Sequence, residues 1–261
     1  MPKPQHLSRQ YADQFGDLSV VEAYRFRPPY PGQLFDVLTG LISGSPKHVL
    51  DAGCGTGPIA RGLADRVDRV DAIDISRAMV EEGKRLPGGD HPRLRWTVGG
   101  MEDAPMEPPY ALIVAGQSLH WMEWGVVMPR FRASLAPGAC LAIVSLKVAP
   151  TPWHKDLLRA IQRFSTNREF QPHDLVEELE LRHLFDKVGE QDTEVVPFTQ
   201  PVEEYIEAIH SMNGFSRQRM LSQEAAAFDE EALRIVRPFA DEGTVELQTS
   251  ANIVWGLPRT P

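Results

Sequence analysis

Short apolar segments alternate with amphipathic ones over residues 48–147 of the chain. The apolar segments are nearly continuous, as in LIVA and LAIV, which is typical of strands buried on both faces of a sheet. Strands that alternate with helices in this way predict βαβ units and a parallel sheet. The predicted strands are 48–51, 69–74, 94–99, 111–116 and 139–147, and the predicted helices between them are 58–66, 76–86 and 123–135.

The pattern changes after residue 147. Residues 152–189 are expected to be mostly helical, and so are 202–210 and 224–239. Residues 194–198 fit a strand, and the alternation over 245–255 predicts a last strand. The chain then divides into an N-terminal arm with a first helix (1–45), an α/β core (46–150), mainly helical lid insertions with one core strand (151–240), and the final strand with a tail (241–261).

Composition predicts an ordinary globular protein, because 42% of the 261 residues are hydrophobic and 24% are charged. The longest apolar stretches, such as 111–115, are too short to span a bilayer, so no membrane partner is expected. The first ten residues lack the apolar region of a secretory signal. Two cysteines, Cys54 and Cys140, are too few for a disulfide framework and indicate reduced thiols in a cytoplasmic protein.

Charge is distributed unevenly, since residues 169–246 contain 19 acidic and 6 basic residues in a chain whose net charge is −9. This excess, without a dense basic run, argues against a nucleic-acid partner. The acidic side chains are expected to lie on solvated helix faces. The alternative is a lid that disfavours anionic substrates.

The segment VLDAGCGTG, residues 49–57, carries the strongest chemical signal. Its alternate glycines allow a sharp turn and a close approach to a ligand, and Pro58 can begin the helix that follows. The pattern differs from the dinucleotide fingerprint G-x-G-x-x-G, because Pro58 stands at the third glycine. Asp51 would repel a pyrophosphate but can accept hydrogen bonds from an ammonium group, and Asp74 can bind both hydroxyls of a ribose. An adenosine with a zwitterionic amino-acid tail therefore fits better than NAD.

Together with VDAIDIS at 70–76, this segment resembles motifs I and II of the class I S-adenosylmethionine-dependent methyltransferases. The resemblance implies a Rossmann-like sheet of seven mostly parallel strands, with 245–255 antiparallel, and a helical lid. It also implies S-adenosylmethionine as the cofactor and a small molecule as the acceptor. On its terms Asp51, Gly53, Cys54 and Gly55 contact the methionine part, Asp74 the ribose and Ile75 the adenine.

Two further segments extend the resemblance. VGGMEDAP (98–105) resembles the third motif, which puts Met101 and Glu102 beside the adenine; Gly100 replaces the usual acidic residue there, so a backbone carbonyl or Glu102 is expected to meet the adenine amino group. VEAYRFRPPYP (21–31) resembles an arm of small-molecule methyltransferases in which Tyr24 and Arg27 reach the cofactor carboxylate. The alternative is a surface arm held by its prolines and aromatic residues.

The segment AGQSLHW (115–121) follows the fourth predicted strand and resembles a stretch of methyltransferases similar to the trans-aconitate enzymes. Gln117 is expected in the cofactor site. A neutral His120 can accept a proton from a hydroxyl or ammonium nucleophile. Alternatively, His120 and Trp121 pack the junction between strand and helix, since methylation of a carboxylate needs no base.

Several alternatives stay open at this point. The same fold hosts other chemistry on the sulfonium, such as cyclisation or aminocarboxypropyl transfer, and an NAD-dependent reductase or a non-catalytic binding module is a further alternative. The histidines at 154, 173, 183 and 210 show no metal-ligand spacing, so no metal is expected. The acceptor is not identified by the sequence, and the chain is expected to be a monomer or a homodimer.

Overall fold

The computed structural model describes residues 3–4, 7–171 and 174–260, with only the backbone of Arg9. Eight strands within these residues form one sheet. They are β1 His48–Ala52, β2 Arg69–Asp74, β3 Leu94–Val98, β4 Tyr110–Gly116, β5 Leu135–Val148, β6 Phe185–Asp192, β7 Val196–Pro201 and β8 Thr244–Pro258.

Helices surround the sheet. They are α1 Arg9–Ala12, α2 Leu18–Tyr24, α3 Gln33–Gly40, α4 Pro58–Leu63, α5 Arg77–Arg85, α6 Trp124–Ser134, α7 His154–Phe164, α8 Leu175–Leu181, α9 Val202–His210 and α10 Ser222–Val236, with 3₁₀ turns at Asp13–Gly16, Leu119–Trp121 and Arg237–Phe239. In the part of the chain that the structure describes, no helix is both long and apolar enough to cross a membrane.

The strand order is β3-β2-β1-β4-β5-β8-β6, and β7 also pairs with β8. The strands β1 to β5 are parallel to one another and β8 is antiparallel to β5, which confirms the predicted mixed sheet. Seven strands lie on this path, the number that was expected, but one differs from the prediction: β6 lies in a segment predicted to be helical, and the predicted strand 194–198 corresponds to β7, which is off the path. The eighth, β7, continues β6 along the same edge of β8, because Asp192 pairs with Asn252 and Val196 with Thr249.

The break between β6 and β7 is bridged by Thr193. Its backbone N–H donates to the carbonyl of Ala251 at 2.8 Å, and its hydroxyl oxygen accepts from the Ala251 N–H, also at 2.8 Å. The threonine thus replaces one step of the strand ladder with its side chain.

The helix predicted for the last part of 152–189 is wrong. The prediction holds for α7 and α8, but Phe185–Asp192 is a strand. Its sequence, FDKVGEQD, is polar and lacks the clear alternation of a half-buried strand, so pairing with β8 decides its conformation. Its charged side chains are typical of an edge strand, where they discourage pairing with other chains.

The two faces of the sheet bury separate groups of apolar side chains. Val49 and Leu50, consecutive in β1, pack into opposite clusters, as do Leu112 and Ile113 in β4. This is the alternation that an extended strand imposes. A third cluster joins α7, α9 and α10 around Phe215 and Phe228, so the lid region has an apolar core of its own.

The N-terminal arm is fastened to the segment that follows α9, residues 211–219. The carboxylate of Asp17 accepts from the Ser216 hydroxyl and from Nε of Arg219, both at 2.6 Å. The side-chain oxygen of Gln14 accepts from the Gly214 N–H at 2.9 Å. These bonds hold the arm and the lid together above the carboxyl ends of the parallel strands.

Candidate functional site

The glycine loop connects β1 to α4 in a conformation that favours glycine. The φ angles of Gly53, Gly55 and Gly57 are 70°, 57° and 71°, in the left-handed region that other residues avoid. The N–H groups of Gly53 and Cys54 both donate to the carbonyl of Ile73 at the end of β2, at 2.8 and 3.0 Å. A Cβ atom on Gly53 would lie 2.5 Å from Cβ of Ser118. The loop therefore packs directly against the segment after β4.

A cavity of about 480 Å³ lies between this loop, the ends of β2 and β4, and the arm. Its volume is in the range of small-molecule sites. Eight of the residues predicted to bind the cofactor line it: Tyr24, Gly53, Gly55, Asp74, Ile75, Met101, Glu102 and Gln117.

The carboxylate of Asp74 is fixed by two backbone groups. One oxygen accepts from the Gly55 N–H and the other from the Ser76 N–H, each at 2.8 Å. Burial raises the pKa of Asp74, and these two hydrogen bonds act in the opposite direction. Because each carboxylate oxygen has a further lone pair, the residue can accept hydrogen bonds from two neighbouring hydroxyl groups of a ligand in the cavity.

Asp51 lies beneath the glycine loop, only 1% exposed. Its carboxylate accepts one hydrogen bond, from the Ala60 N–H in the first turn of α4, at 2.9 Å. Burial raises the pKa of Asp51 to about 7, although the bond from Ala60 lowers it, and the nearby charge of Asp74 adds to the rise. Asp51 is not part of the described wall of the smaller cavity. Its contact with the cofactor stays a prediction.

Cys54 and Arg27 also lie outside the described wall of the smaller cavity. The Cys54 side chain packs in the apolar core, and burial raises the pKa of its thiol. The guanidinium of Arg27 stacks 4.1 Å from the ring centre of Tyr24 and donates to Oγ and the carbonyl of Ser211, at 2.7 and 2.6 Å. Arg27 is thus one layer behind Tyr24, and its contact with the cofactor also stays a prediction.

The carboxylate of Glu102 lies in the space beside Gly100 that an acidic side chain at position 100 would otherwise fill. A Cβ atom on Gly100 would lie 3.0 Å from Oε2 of Glu102, so the carboxylate lies where an acidic side chain at position 100 would begin. Its other oxygen accepts from the Glu123 N–H at 2.9 Å. This geometry favours Glu102 as the replacement for the missing acidic residue.

Several lining residues have no motif in the sequence. Asp13 and Phe15 of the arm, Met79 of α5, and Asp103 line the smaller cavity. The ring of Phe15 lies 5.5 Å from that of Trp121, for which the sequence left packing at the junction between strand and helix as an alternative. The only sequence signal for Phe15 as a lining residue is that it is an isolated aromatic residue in a polar stretch. Met79 lies on the apolar face of an amphipathic helix, so the sequence pattern does not distinguish it from a residue of the hydrophobic core.

A larger cavity, of about 830 Å³, adjoins the first beneath the lid. Phe15, Gln117, Ser118 and Trp121 line both cavities. Gln117 has a φ of 51°, a strained conformation for a non-glycine residue and one that is enriched at functional sites. His120 lines the larger cavity, and its ring centre lies 4.7 Å from that of Trp121.

No three His, Cys, Asp or Glu side chains gather as metal ligands within residues 3–4, 7–171 and 174–260. His173, considered above, lies outside the described residues.

A family model described as a methyltransferase domain matches residues 49–138. The chain is 33% identical over 119 residues to trans-aconitate 2-methyltransferase of Pseudomonas aeruginosa, an alignment that covers 44% of this chain and 42% of the relative. It is 35% identical over 92 residues to malonyl-acyl-carrier-protein O-methyltransferase 1 of Ilyobacter polytropus, over 34% of each chain. The aligned part thus spans less than half the length of these curated relatives.

Solved structures share the fold over most of the chain. A protein of Anaeromyxobacter dehalogenans assigned to the type II methyltransferases superposes with a TM-score of 0.60 at 22% identity, covering 89% of this chain and 99% of that one. Phosphoethanolamine N-methyltransferase 2 of Haemonchus contortus gives 0.54 at 15% identity, covering 96% and 60%. Residues 49–138 therefore match a methyltransferase domain and are similar to the trans-aconitate enzymes, and the chain shares its fold with these solved methyltransferase structures.

Proposed function

We propose that this protein transfers a methyl group from S-adenosylmethionine to a small-molecule acceptor. The smaller cavity holds the cofactor and the larger cavity holds the acceptor. The observation that carries this proposal is that the two cavities share a wall at Gln117, Ser118 and Trp121, directly after β4. Ligands of open α/β sheets bind at this carboxyl edge.

The residues of the smaller cavity fit the cofactor. Asp74 offers a carboxylate for the ribose hydroxyls. The apolar side chains of Ile75, Met79 and Met101 suit a flat base. A Cβ atom on Gly55 would have nothing nearer than the Tyr24 hydroxyl at 3.7 Å, so the loop leaves room for a ligand beside its backbone. When bound, the cofactor supplies an electrophilic methyl group on a sulfonium.

The remaining chemistry belongs to positioning and proton transfer. The arm and the lid cover the shared wall, which would exclude water and hold the acceptor in line. His120, on the wall of the larger cavity, would accept the proton of a hydroxyl or amine nucleophile. That role is a prediction, because a carboxylate acceptor needs no base.

The named relatives support methyl transfer. One acts on trans-aconitate and another on malonyl-acyl-carrier protein, according to their names. Their acceptors are not transferred to this chain, because the aligned regions cover 42% and 34% of those proteins.

Asp74→Ala is expected to weaken binding of S-adenosylhomocysteine by about 1–3 kcal/mol, the cost of losing a charged hydrogen-bond partner. Titration calorimetry measures the change. Asp68→Ala is the matched control, because Asp68 also accepts from a backbone N–H, that of Lys47 at 2.8 Å, but precedes β2 instead of ending it. Equal affinity in the Asp74 variant and the parent would contradict the cofactor site.

Arg27→Ala is expected to weaken the same affinity by roughly 1.5–3 kcal/mol if the guanidinium pairs with the cofactor carboxylate. Since Arg27 also donates to Ser211, the substitution could act through the lid. Ser211→Ala removes the side-chain part of that contact and keeps the cation. If both variants lose the same affinity, the pairing hypothesis is wrong and Arg27 acts by holding the lid.

The reaction itself is tested by incubating the protein with methyl-labelled S-adenosylmethionine and a mixture of small metabolites. Mass spectrometry is expected to detect S-adenosylhomocysteine together with a labelled acceptor. Methylthioadenosine in place of S-adenosylhomocysteine would instead indicate aminocarboxypropyl transfer or a related reaction of the sulfonium.

A further inference from the structure

The mouth of the larger cavity is acidic. Four carboxylates line it, from Asp174, Glu177, Glu180 and Glu190. Glu177 and Glu180 are three residues apart in α8, so they share one face of the helix. Within the described residues, neither forms an ion pair with a basic side chain.

The lysines on the same wall are already paired. Nζ of Lys187 donates to Oε2 of Glu190 at 2.6 Å, and Nζ of Lys147 donates to Oδ1 of Asp192 at 2.9 Å. Both pairs are solvent-exposed, and each brings as much negative as positive charge to the mouth. The bond to Glu190 raises the pKa of Lys187 most and the charges of Glu180 and Asp174 raise it further, but the four carboxylates of the mouth still outnumber the two lysines.

Arg27 is the remaining cation on the described wall. Its guanidinium stacks on Tyr24 and donates to Ser211. If Arg27 pairs with the cofactor carboxylate, no cation on the described wall remains unpaired for an acceptor. If it does not, it can bind one carboxylate bidentately, and a second or third carboxylate of the acceptor would have to lie among the acidic residues of the mouth.

The inner wall is apolar or neutral. Phe15, Trp121 and Met212 offer apolar contact, and the amides of Asn167 and Asn213, which bond to each other, offer polar contact without charge. Such a wall recognises a ligand by shape and by a few polar groups.

We propose that the acceptor carries no net negative charge: it is a neutral or cationic small molecule with an apolar body. This inference rests on the proposed function and narrows its substrate. The acidic mouth raises the local concentration of cations and opposes the entry of polycarboxylates such as trans-aconitate. The lid's acidic side chains would then select the acceptor in addition to being solvated.

The test begins by separating a metabolite mixture into anionic, neutral and cationic pools by ion exchange. Each pool is then incubated with the protein and methyl-labelled S-adenosylmethionine, and trans-aconitate is assayed alone. Label is expected with the neutral or cationic pool. Transfer confined to the anionic pool, or transfer to trans-aconitate, overturns the inference and leaves the proposed function intact. No transfer in any pool contradicts the proposed function and removes the inference with it.

A charge reversal links the selectivity to the mouth. The double variant Glu177→Lys, Glu180→Lys is expected to raise the KM of a cationic acceptor roughly tenfold. If trans-aconitate is used as a competitor instead, its Kd is expected to fall by a similar factor. The kcat and the affinity for S-adenosylhomocysteine should not change, since neither residue lines the smaller cavity. The variant Glu224→Lys, Glu230→Lys changes the net charge equally on exposed positions of α10 and is the control. Equal effects of the two variants would overturn a specific role of the mouth.

Discussion

Asp51→Asn is expected to make the protein more stable at pH 8, by up to about 4 kcal/mol. Among the residues that the structure describes, no cation pairs with this buried carboxylate, and burial raises the pKa of Asp51 to about 7 from an ordinary value of 3.8. Each unit of that rise corresponds to about 1.4 kcal/mol of preference for the neutral form. Asparagine is neutral at every pH, and its side-chain oxygen can still accept the hydrogen bond from Ala60.

The gain should depend on pH in a defined direction. Below about pH 3, Asp51 is protonated in both the folded and the unfolded chain, so parent and variant should have similar free energies of unfolding. Between pH 4 and 7 the unfolded chain loses this proton while the folded chain retains it, which destabilises the parent progressively. Urea unfolding of both proteins at several pH values measures the difference. A constant difference from pH 4 to 8 would show that the substitution acts by another route.

Asp71→Asn is the matched control, because Asp71 is also buried in the parallel sheet but has partners. Its carboxylate lies 3.0 Å from the guanidinium of Arg69 and accepts from the Tyr110 hydroxyl at 2.8 Å. Removing its charge leaves Arg69 without its buried partner, so this substitution should destabilise the protein at pH 8. The two aspartates are therefore expected to give opposite signs.

If Asp51 also accepts from the ammonium of the cofactor, the stabilised variant should bind S-adenosylhomocysteine more weakly. The same preparation then shows higher stability and lower affinity, which is the usual cost of keeping a strained functional group. Higher stability with unchanged affinity would assign Asp51 to the support of α4 alone.

Gly53→Ala is expected to lower the free energy of unfolding by roughly 2–5 kcal/mol and to remove measurable cofactor binding. The left-handed backbone conformation accounts for part of this loss. The rest comes from the new Cβ atom, which would lie 2.5 Å from Cβ of Ser118 and must displace it. That displacement would break the bond from the Ser118 hydroxyl to the carbonyl of Ala52, now 2.6 Å long, and shift the wall shared by the two cavities.

Gly55→Ala separates the two contributions. Gly55 has the same left-handed conformation, but a Cβ atom there meets nothing nearer than 3.7 Å. It should cost only about 1–2 kcal/mol of stability, the backbone part of the effect. Chemical denaturation compares the two variants. Equal losses in the free energy of unfolding would mean that Ser118 can move away from the new Cβ atom without destabilising the protein.

The parallel half of the fold could be predicted because its strands are buried on both faces and therefore carry continuous apolar runs, as in β4 and β5. The edge strand Phe185–Asp192 could not, because its conformation is set by hydrogen bonds to β8, which leave no periodic trace in its own sequence. The long interval between β5 and β8 hides that partnership from any local pattern.

The residues of the site also fall into those that local sequence could identify and those that depend on contacts between distant segments. Asp74 and the glycines were identifiable because backbone geometry and charge restrict what can stand there. Phe15 was not, because it reaches the cavities through the fastening of the arm to residues 211–219, a contact between distant parts of the chain. The acidic side chains of α8 and β6 were evident as an excess of charge, but their position at the mouth of the larger cavity required the structure. Arg27 combines the two situations. Its charge and its motif made it a candidate site residue, but its hydrogen bonds to Ser211 could be found only from the structure.

The central position of β8 has a consequence for synthesis on the ribosome. This strand pairs with β5 on one side and with β6 and β7 on the other, yet it follows all of them in sequence. While residues 149–243 are being translated, β5 therefore presents an open edge, which is a template for pairing with other nascent chains. Slow translation of residues 149–243 would lengthen the time for which the edge of β5 is exposed. The rate of elongation over this interval therefore affects how much of the protein reaches the native sheet.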